Sequence, residues 1–235
     1  MCGRFTLVSP FVAVTERFHA SAPPDLRPRY NIAPGQEVLC VIRDGENRIE
    51  PLRWGLIPSW AKDPAIGNRL INARAETLAE KPSFCNAFAK RRCLVVADGF
   101  YEWRPAGRRK VPVYIFLKSK KPFGIAGLYE SWKAPDGREL RTCTIVTTEA
   151  NDLVRPFHDR MPAIVPADAD DCWLDCCGEG SRERLQALLT AYPAEEMDAY
   201  DVAPIVNSAS HDAPDCIIPA SKQPGGKCLK SLIDG

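Results

Sequence analysis

Short apolar runs rich in β-branched and aromatic residues, parted by Gly, Pro or Lys clusters, dominate the chain and predict strands rather than long helices. Glu37–Arg43 and Asn47–Trp54 have the pattern of a hairpin across Asp44-Gly45, a turn that needs positive φ. Cys93–Ala97, Gly99–Arg104, Val113–Leu117, Phe123–Tyr129 and Leu140–Thr147 read as a run of antiparallel strands. Met161–Val165 reads as another, with Asp198–Val202 and Cys216–Ile218 closing the chain. Helical spacing is confined to short pieces. Ser9-Pro10 reads as an N-cap followed by Pro at the first helical position, starting a helix through Phe18. Ala75–Glu80, Phe84–Lys90, Ala167–Asp175 and Ser181–Ala191 follow, the last with Leu185, Leu188 and Leu189 on one face. Ala22–Pro28 and Trp54–Asp63 are Pro-containing loops. The expected class is α+β, a barrel-like core of antiparallel sheet with peripheral short helices.

Composition changes this picture little. The 235 residues can bury a sizeable core, and 21 prolines agree with many turns and few long helices. With no internal repeat or low-complexity linker, one domain is expected over residues 1–225, with residues 226–235 as a flexible tail after Gly225-Gly226. No apolar run reaches the length of a membrane span, and no signal peptide opens the chain. Ten cysteines without even spacing or a C-x-x-C pair suit a reducing, cytoplasmic setting. Cys172, Cys176 and Cys177 have no zinc-finger partner and are expected to pack in the core, so no metal is expected. No P-loop, G-x-G-x-x-G or G-x-S-x-G implies a nucleotide cofactor.

Charge matters more. The net charge is +1, yet residues 1–148 hold 24 Lys+Arg against 14 Asp+Glu, and residues 149–215 hold 4 against 15. A polyanion could therefore bind one face of a nearly neutral protein.

Candidate chemistry begins at Cys2. Removal of Met1, which a small following side chain permits, leaves a free α-amine beside a thiol; they titrate near about 8 and 8.5. Such a 1,2-aminothiol condenses with an aldehyde. The amine forms an imine, and sulfur then closes a five-membered thiazolidine. The plain alternative is a small apolar residue opening a buried strand. In Asn72-Ala73-Arg74, an amide and a guanidinium two residues apart share one side of an extended segment. Glu102 sits in the aromatic run Asp98–Trp103, where burial would raise its pKa and suit it to proton transfer. His158, between Phe157 and Asp159-Arg160, is a candidate proton shuttle. Trp54 and Trp60, on a constrained loop, are candidate stacking platforms for unpaired bases, worth ~1–3 kcal/mol per base. Core packing is the alternative for each, more so for Trp54.

Taken together, Cys2-Gly3-Arg4-Phe5, Tyr30–Gly35, Trp54–Pro58, Asn72–Glu76, Asp98–Trp103 and His158–Pro162 resemble the SRAP family, the SOS-response-associated peptidases or abasic site processing proteins. The motifs stand in family order and span the chain down to Val206-Asn207. The loop after Ser59-Trp60 departs from members with a second tryptophan there. The resemblance implies the family's α+β fold of coiled antiparallel sheets. It also implies a sensor or shield of abasic sites in single-stranded DNA, linked covalently as a thiazolidine through the N-terminal cysteine. By motif position Cys2 would be the nucleophile, Glu102 and His158 would move protons, and Asn72 would orient the sugar or the amine. Arg4, Arg74 and Arg160 would face phosphates, and Trp60 and Trp103 would contact bases. Rival readings are an N-terminal cysteine peptidase or amidase, a lyase that cuts at the lesion through the imine, and a non-covalent single-strand binder. The thiazolidine reading requires a Cys2 sulfur open to ligand.

Overall fold

The computed structural model describes residues 2–21, 27–176 and 182–222. The expected Ala22–Pro28 loop falls largely outside these, as do Cys177, Ser181 and the expected tail. Thirteen strands are present among the described residues: β1 Phe5–Leu7, β2 Arg29–Ile32, β3 Glu37–Asp44, β4 Glu46–Trp54, β5 Asn72–Arg74, β6 Arg92–Ala97, β7 Gly99–Ala106, β8 Arg109–Leu117, β9 Phe123–Lys133, β10 Glu139–Glu149, β11 Arg160–Pro162, β12 Ile164–Val165 and β13 Met197–Asp201. Helices α1 Phe11–Phe18, α2 Cys85–Lys90, α3 Asp170–Leu174 and α4 Arg182–Ala187 are short, and several single 3-10 turns join them.

The strands make two sheets. Five strands in the order β13-β8-β7-β1-β2 form one, antiparallel throughout. In the other, β10, β4, β3, β6 and β9 pair in a ring, because β9 and β10 also pair along seven residues from Glu139↔Lys133 to Ile145↔Gly127. Closing the sheet on itself removes its edges. The ring is mixed rather than wholly antiparallel: β10 runs parallel to β4 and then, beyond it, parallel to β5. Strands lining a closed barrel and covered outside read as continuous apolar runs. β6 is such a run from Cys93 to Ala97, and with Arg92 all six of its positions are buried.

Only Asp98 separates β6 of the barrel from β7 of the second sheet. Its carboxylate accepts the Val8 and Ser9 amides and the Ser9 hydroxyl, and its own amide donates to the Thr6 carbonyl at 2.9 Å. Ser9 is thereby drawn away from α1, whose N-cap is Pro10 with no side-chain capping bond. The expected Ser9 cap is corrected accordingly. Next to the crossover, Gly99 lies against Tyr114; a Cβ there would sit 2.6 Å from the Tyr114 ring. Gly55, at φ +131°, ends β4 with no room for a Cβ, which would lie 2.8 Å from the Gly67 carbonyl oxygen.

Five other expectations change. Met161–Val165 is two strands: the Ala163 amide donates to Val146 of β10, while its carbonyl accepts from Ala126 of β9. Cys216–Ile218 is not a strand, since Pro214–Ile217 forms a 3-10 turn. Ala75–Glu80 contracts to a 3-10 turn at Ala75–Thr77. Cys172 and Cys176 are half-buried rather than core residues. Trp54 is core and not a stacking platform: it is 1% exposed, its ring centroid lies 5.2 Å from that of Phe5, and its indole donates to the Ile71 carbonyl.

Trp54 joins the two sheets, so Trp54→Ala is expected to lower stability by about 3–5 kcal/mol. Urea unfolding with an unchanged slope measures this, and a loss below about 1 kcal/mol would contradict the packing described.

Candidate active site and nucleic-acid interface

Cys2 precedes β1 and is fully buried. Asn72 Nδ2 donates to the Cys2 carbonyl at 2.8 Å, so β5, paired to the barrel strand β10, holds the start of the other sheet. Asn72 Oδ1 is buried too, with no hydrogen-bond partner, an acceptor beside the Cys2 backbone. The Arg4 amide donates to the Cys2 sulfur, and the Arg4 carbonyl accepts from Tyr101 at 2.9 Å. Burial, and after it the Glu102 carboxylate, push the Cys2 thiol up to about 12. The sequence reading needs an open sulfur; in the chain that carries Met1 the structure encloses it.

Glu102 lies on β7 two residues beyond Phe100 and on the same side of the strand. Phe100 and its partner Ile115 are wholly buried, so that row continues toward the sheet's end with a carboxylate that is 4% exposed. Burial raises the Glu102 pKa above the usual carboxylate range; the positive amino terminus and Lys110 oppose it in part. His158 shifts the other way. Burial lowers it first, then the amino terminus, Lys110 and Arg160, against a raising influence from Asp159. Its Nδ1 accepts the Arg160 amide at 2.9 Å, which leaves the proton of the neutral ring on Nε2. An Asp159 oxygen 2.6 Å from the same nitrogen becomes the partner when the ring is charged, but that carboxylate is largely solvated and contributes little.

Glu102 and His158 both line an open cleft of about 500 Å³, together with Trp103, Pro105, Lys110 and Phe157. Cys2 does not line it. A buried acid with a raised pKa sharing a cleft with a histidine kept neutral is an arrangement for moving protons near neutral pH. Lys110 and Phe157 are absent from the sequence expectations. Lys110 could have been found by continuing the β7–β8 register, where it pairs with Pro105, three residues past Glu102. Phe157 is simply the neighbour of His158.

The basic residues divide. Arg74 is exposed at the end of β5, on the side of the strand that carries Asn72. Arg160, expected to face a phosphate, is 8% exposed and gripped by both Glu76 oxygens at 2.7 and 3.0 Å and by the Thr147 carbonyl, because a buried guanidinium needs internal partners. Arg4 is likewise engaged inside the fold, donating to Asn31 Oδ1 and the Val206 carbonyl at 2.7 Å each, with its guanidinium over the Trp103 ring. Trp103 is half-buried and donates to Asn207 Oδ1. Trp60 is 58% exposed and borders a second cleft of about 320 Å³ with Lys62, Asp63, Ala65, Ile66 and Arg69. Among the described residues no helix is long and apolar enough to cross a membrane.

In the Met1-bearing chain, alkylation of Cys2 near neutral pH is expected to be on the order of a thousandfold slower than for an exposed thiol of ordinary pKa. Peptide mapping after timed iodoacetamide treatment measures it; labelling as fast as that of half-buried Cys85 would contradict the burial.

Comparison with known proteins agrees with this architecture. The family model for SOS response associated peptidase (SRAP) matches residues 1–209. The abasic site processing protein YoqW of Bacillus subtilis is 47% identical over 222 residues, covering 92% of this chain and 99% of that protein. The abasic site processing protein HMCES of Gallus gallus is 35% identical over 198 residues, covering 74% of this chain and 58% of the longer relative. A crystal structure of a protein from Bacteroides thetaiotaomicron superposes with a TM-score of 0.85 at 28% identity, covering 93% of this chain and 99% of its own. The match to the family model and the extended identity to YoqW together place this chain in the SOS response associated peptidase family.

Proposed function

We propose that this protein processes abasic sites in single-stranded DNA, and that after Met1 is removed it traps the lesion through the Cys2 amine and thiol. One observation carries the reading: Asn72 grips the Cys2 backbone while Glu102, within electrostatic reach of Cys2, lines an open cleft with His158. The naming of its relatives as abasic site processing proteins supports the substrate.

The chemistry follows from these groups. An abasic deoxyribose is mostly a closed hemiacetal. Opening it moves the C1′ hydroxyl proton to the ring oxygen, a transfer assigned to His158. The freed Cys2 amine, its proton accepted by Glu102, adds to the aldehyde carbon and water leaves to give an imine. The thiol then adds across the C=N bond, sulfur to carbon and proton to nitrogen, closing the thiazolidine. A buried thiol is a poor free nucleophile, so the last step draws on proximity: amine and sulfur belong to one residue, and Asn72 fixes its backbone. Met1 removal supplies the amine. Loss of Met1 by the chain's own peptidase chemistry is compatible with the same groups.

DNA is held by charge and stacking without base-specific contacts. Arg74 beside the site and Trp60 with Lys62 and Arg69 contact the strand. Trp103 lines the cleft where the lesion sits, and Arg4 and Arg160 act by positioning the loops around it.

Two experiments test this. On a denaturing gel, single-stranded DNA with an abasic site should shift to the mass of the protein adduct with the wild type and not with Cys2→Ala. A cut strand without an adduct would point to a lyase, and a native complex unaffected by Cys2→Ala to a non-covalent binder. Adduct formation should also be pH-dependent. Because the Glu102 pKa is raised, its carboxylate form is lost as pH falls through a value above the ordinary glutamate range of about 4.3, so the rate should fall there too. Glu102→Gln should be slow and lack that acidic limb; an unchanged profile would remove Glu102 from the reaction.

A further inference from the structure

The turn that replaces an expected strand near the end of the chain carries a second cluster of chemistry, one that the proposed reaction does not use. His211, Asp215 and Cys216 each offer a ligand atom, and these atoms lie within 4.8 Å of one another. Cys216 sits on the Pro214–Ile217 turn with its sulfur wholly buried, and that sulfur donates to the His211 carbonyl at 3.6 Å. His211 Nε2 lies 2.7 Å from an Asp215 oxygen, and these two side chains are 33% and 44% exposed. We propose that His211, Asp215 and Cys216 form a binding site for a divalent transition metal of the zinc type.

The donor set selects the metal. Imidazole nitrogen with thiolate sulfur suits zinc or cobalt, whereas magnesium and calcium prefer oxygen alone. Three protein ligands leave a fourth position for water on the side where His211 and Asp215 meet solvent. Ligand bonds of about 2.0–2.3 Å require the nitrogen and the carboxylate oxygen to part by roughly half an ångström around the ion. Both side chains are partly exposed and can rotate that far.

The backbone is already held in place. The His211 carbonyl also accepts from Asn31 Nδ2 at 2.6 Å, and the Asp212 carboxylate receives the Arg29 guanidinium and the Tyr30 and Asn31 amides. Metal binding therefore needs no folding of the loop; it releases the His211–Asp215 and Cys216–His211 carbonyl hydrogen bonds and one proton. The imidazole binds as the neutral ring through Nε2, with its proton on Nδ1. The Cys216 thiol proton passes to the buffer as sulfur takes the metal. The ion's two positive charges meet one thiolate and one carboxylate, so the centre is neutral and compatible with Arg4 nearby. A nucleophilic role for Cys216 fits less well, since its sulfur is enclosed and His211 Nε2 is turned to Asp215.

Cobalt(II) titration of the full-length protein near neutral pH tests the site. One equivalent should produce a near-ultraviolet thiolate-to-cobalt band and the visible bands of a four-coordinate ion, both abolished by zinc. Cys216→Ser should lose the thiolate band. His211→Ala, at a half-exposed side chain, should keep the fold and weaken binding at least about tenfold. Cys2→Ser, in which the proposed abasic-site reaction is disabled, should titrate like the wild type. The proposal is overturned if no thiolate band appears, if the band survives Cys216→Ser, if His211→Ala binds cobalt as tightly as the wild type, or if Cys2→Ser abolishes the band.

Discussion

Everything at the site depends on the first eight described residues being tied into the fold, with Cys2, Phe5, Thr6 and Leu7 buried. A chain end ordinarily frays, because ordering each residue's backbone costs on the order of 1–2 kcal/mol. Here that cost is met by burial and by bonds from both sheets. Phe5 packs on Trp54, the Thr6 carbonyl and the Val8 and Ser9 amides are tied to Asp98, Arg4 is bonded to Tyr101, and Asn72 reaches across from the barrel to Cys2. The terminus is thus positioned as firmly as a residue on a central strand, which a reaction requiring an amine and a sulfur at fixed places demands.

The same burial sets the electrostatics. Enclosing Cys2 and Glu102 disfavours their charged forms, and the partial burial of His158, together with the cations around it, disfavours the imidazolium. The three groups are therefore held closer to neutrality than they would be in water. Protons can be exchanged among them and a substrate without stabilising a full charge in an apolar place. Arg160 and Arg4 meet the opposite requirement: permanently charged, they are given carboxylate, amide and carbonyl partners and so become part of the scaffold.

The strand run from Glu37 to Thr147 was legible because β-branched runs and the Asp44-Gly45 turn act locally. A barrel-like core was legible as well, but the strand pairing that closes it was not. Closure rests on β9 and β10 pairing with each other while each also pairs elsewhere, and no local pattern records a strand's second partner. Cys216–Ile218 misled for a related reason, since an apolar triplet after Pro214 suits a strand or a buried turn equally well. At the site, residue types pointed to Cys2, Asn72, Glu102 and His158. Burial was legible for Glu102 from its aromatic neighbours and was one of two readings for Cys2, but nothing in its type marked Arg160 as buried. The His211–Cys216 grouping escaped because its spacing matches no familiar metal motif and only the turn unites it.

Arg4 is bonded to the Val206 carbonyl, a contact between residues 202 positions apart. Topologies rich in such distant partners assemble slowly, because a large loop must close before the contact repays it. During synthesis this bond waits until residue 206 has emerged, whereas the partners of the same segment at Trp54, Asn72, Asp98 and Tyr101 emerge earlier. The Arg4–Val206 tie is thus among the last bonds that topology allows to form, a late fastening across a segment already seated.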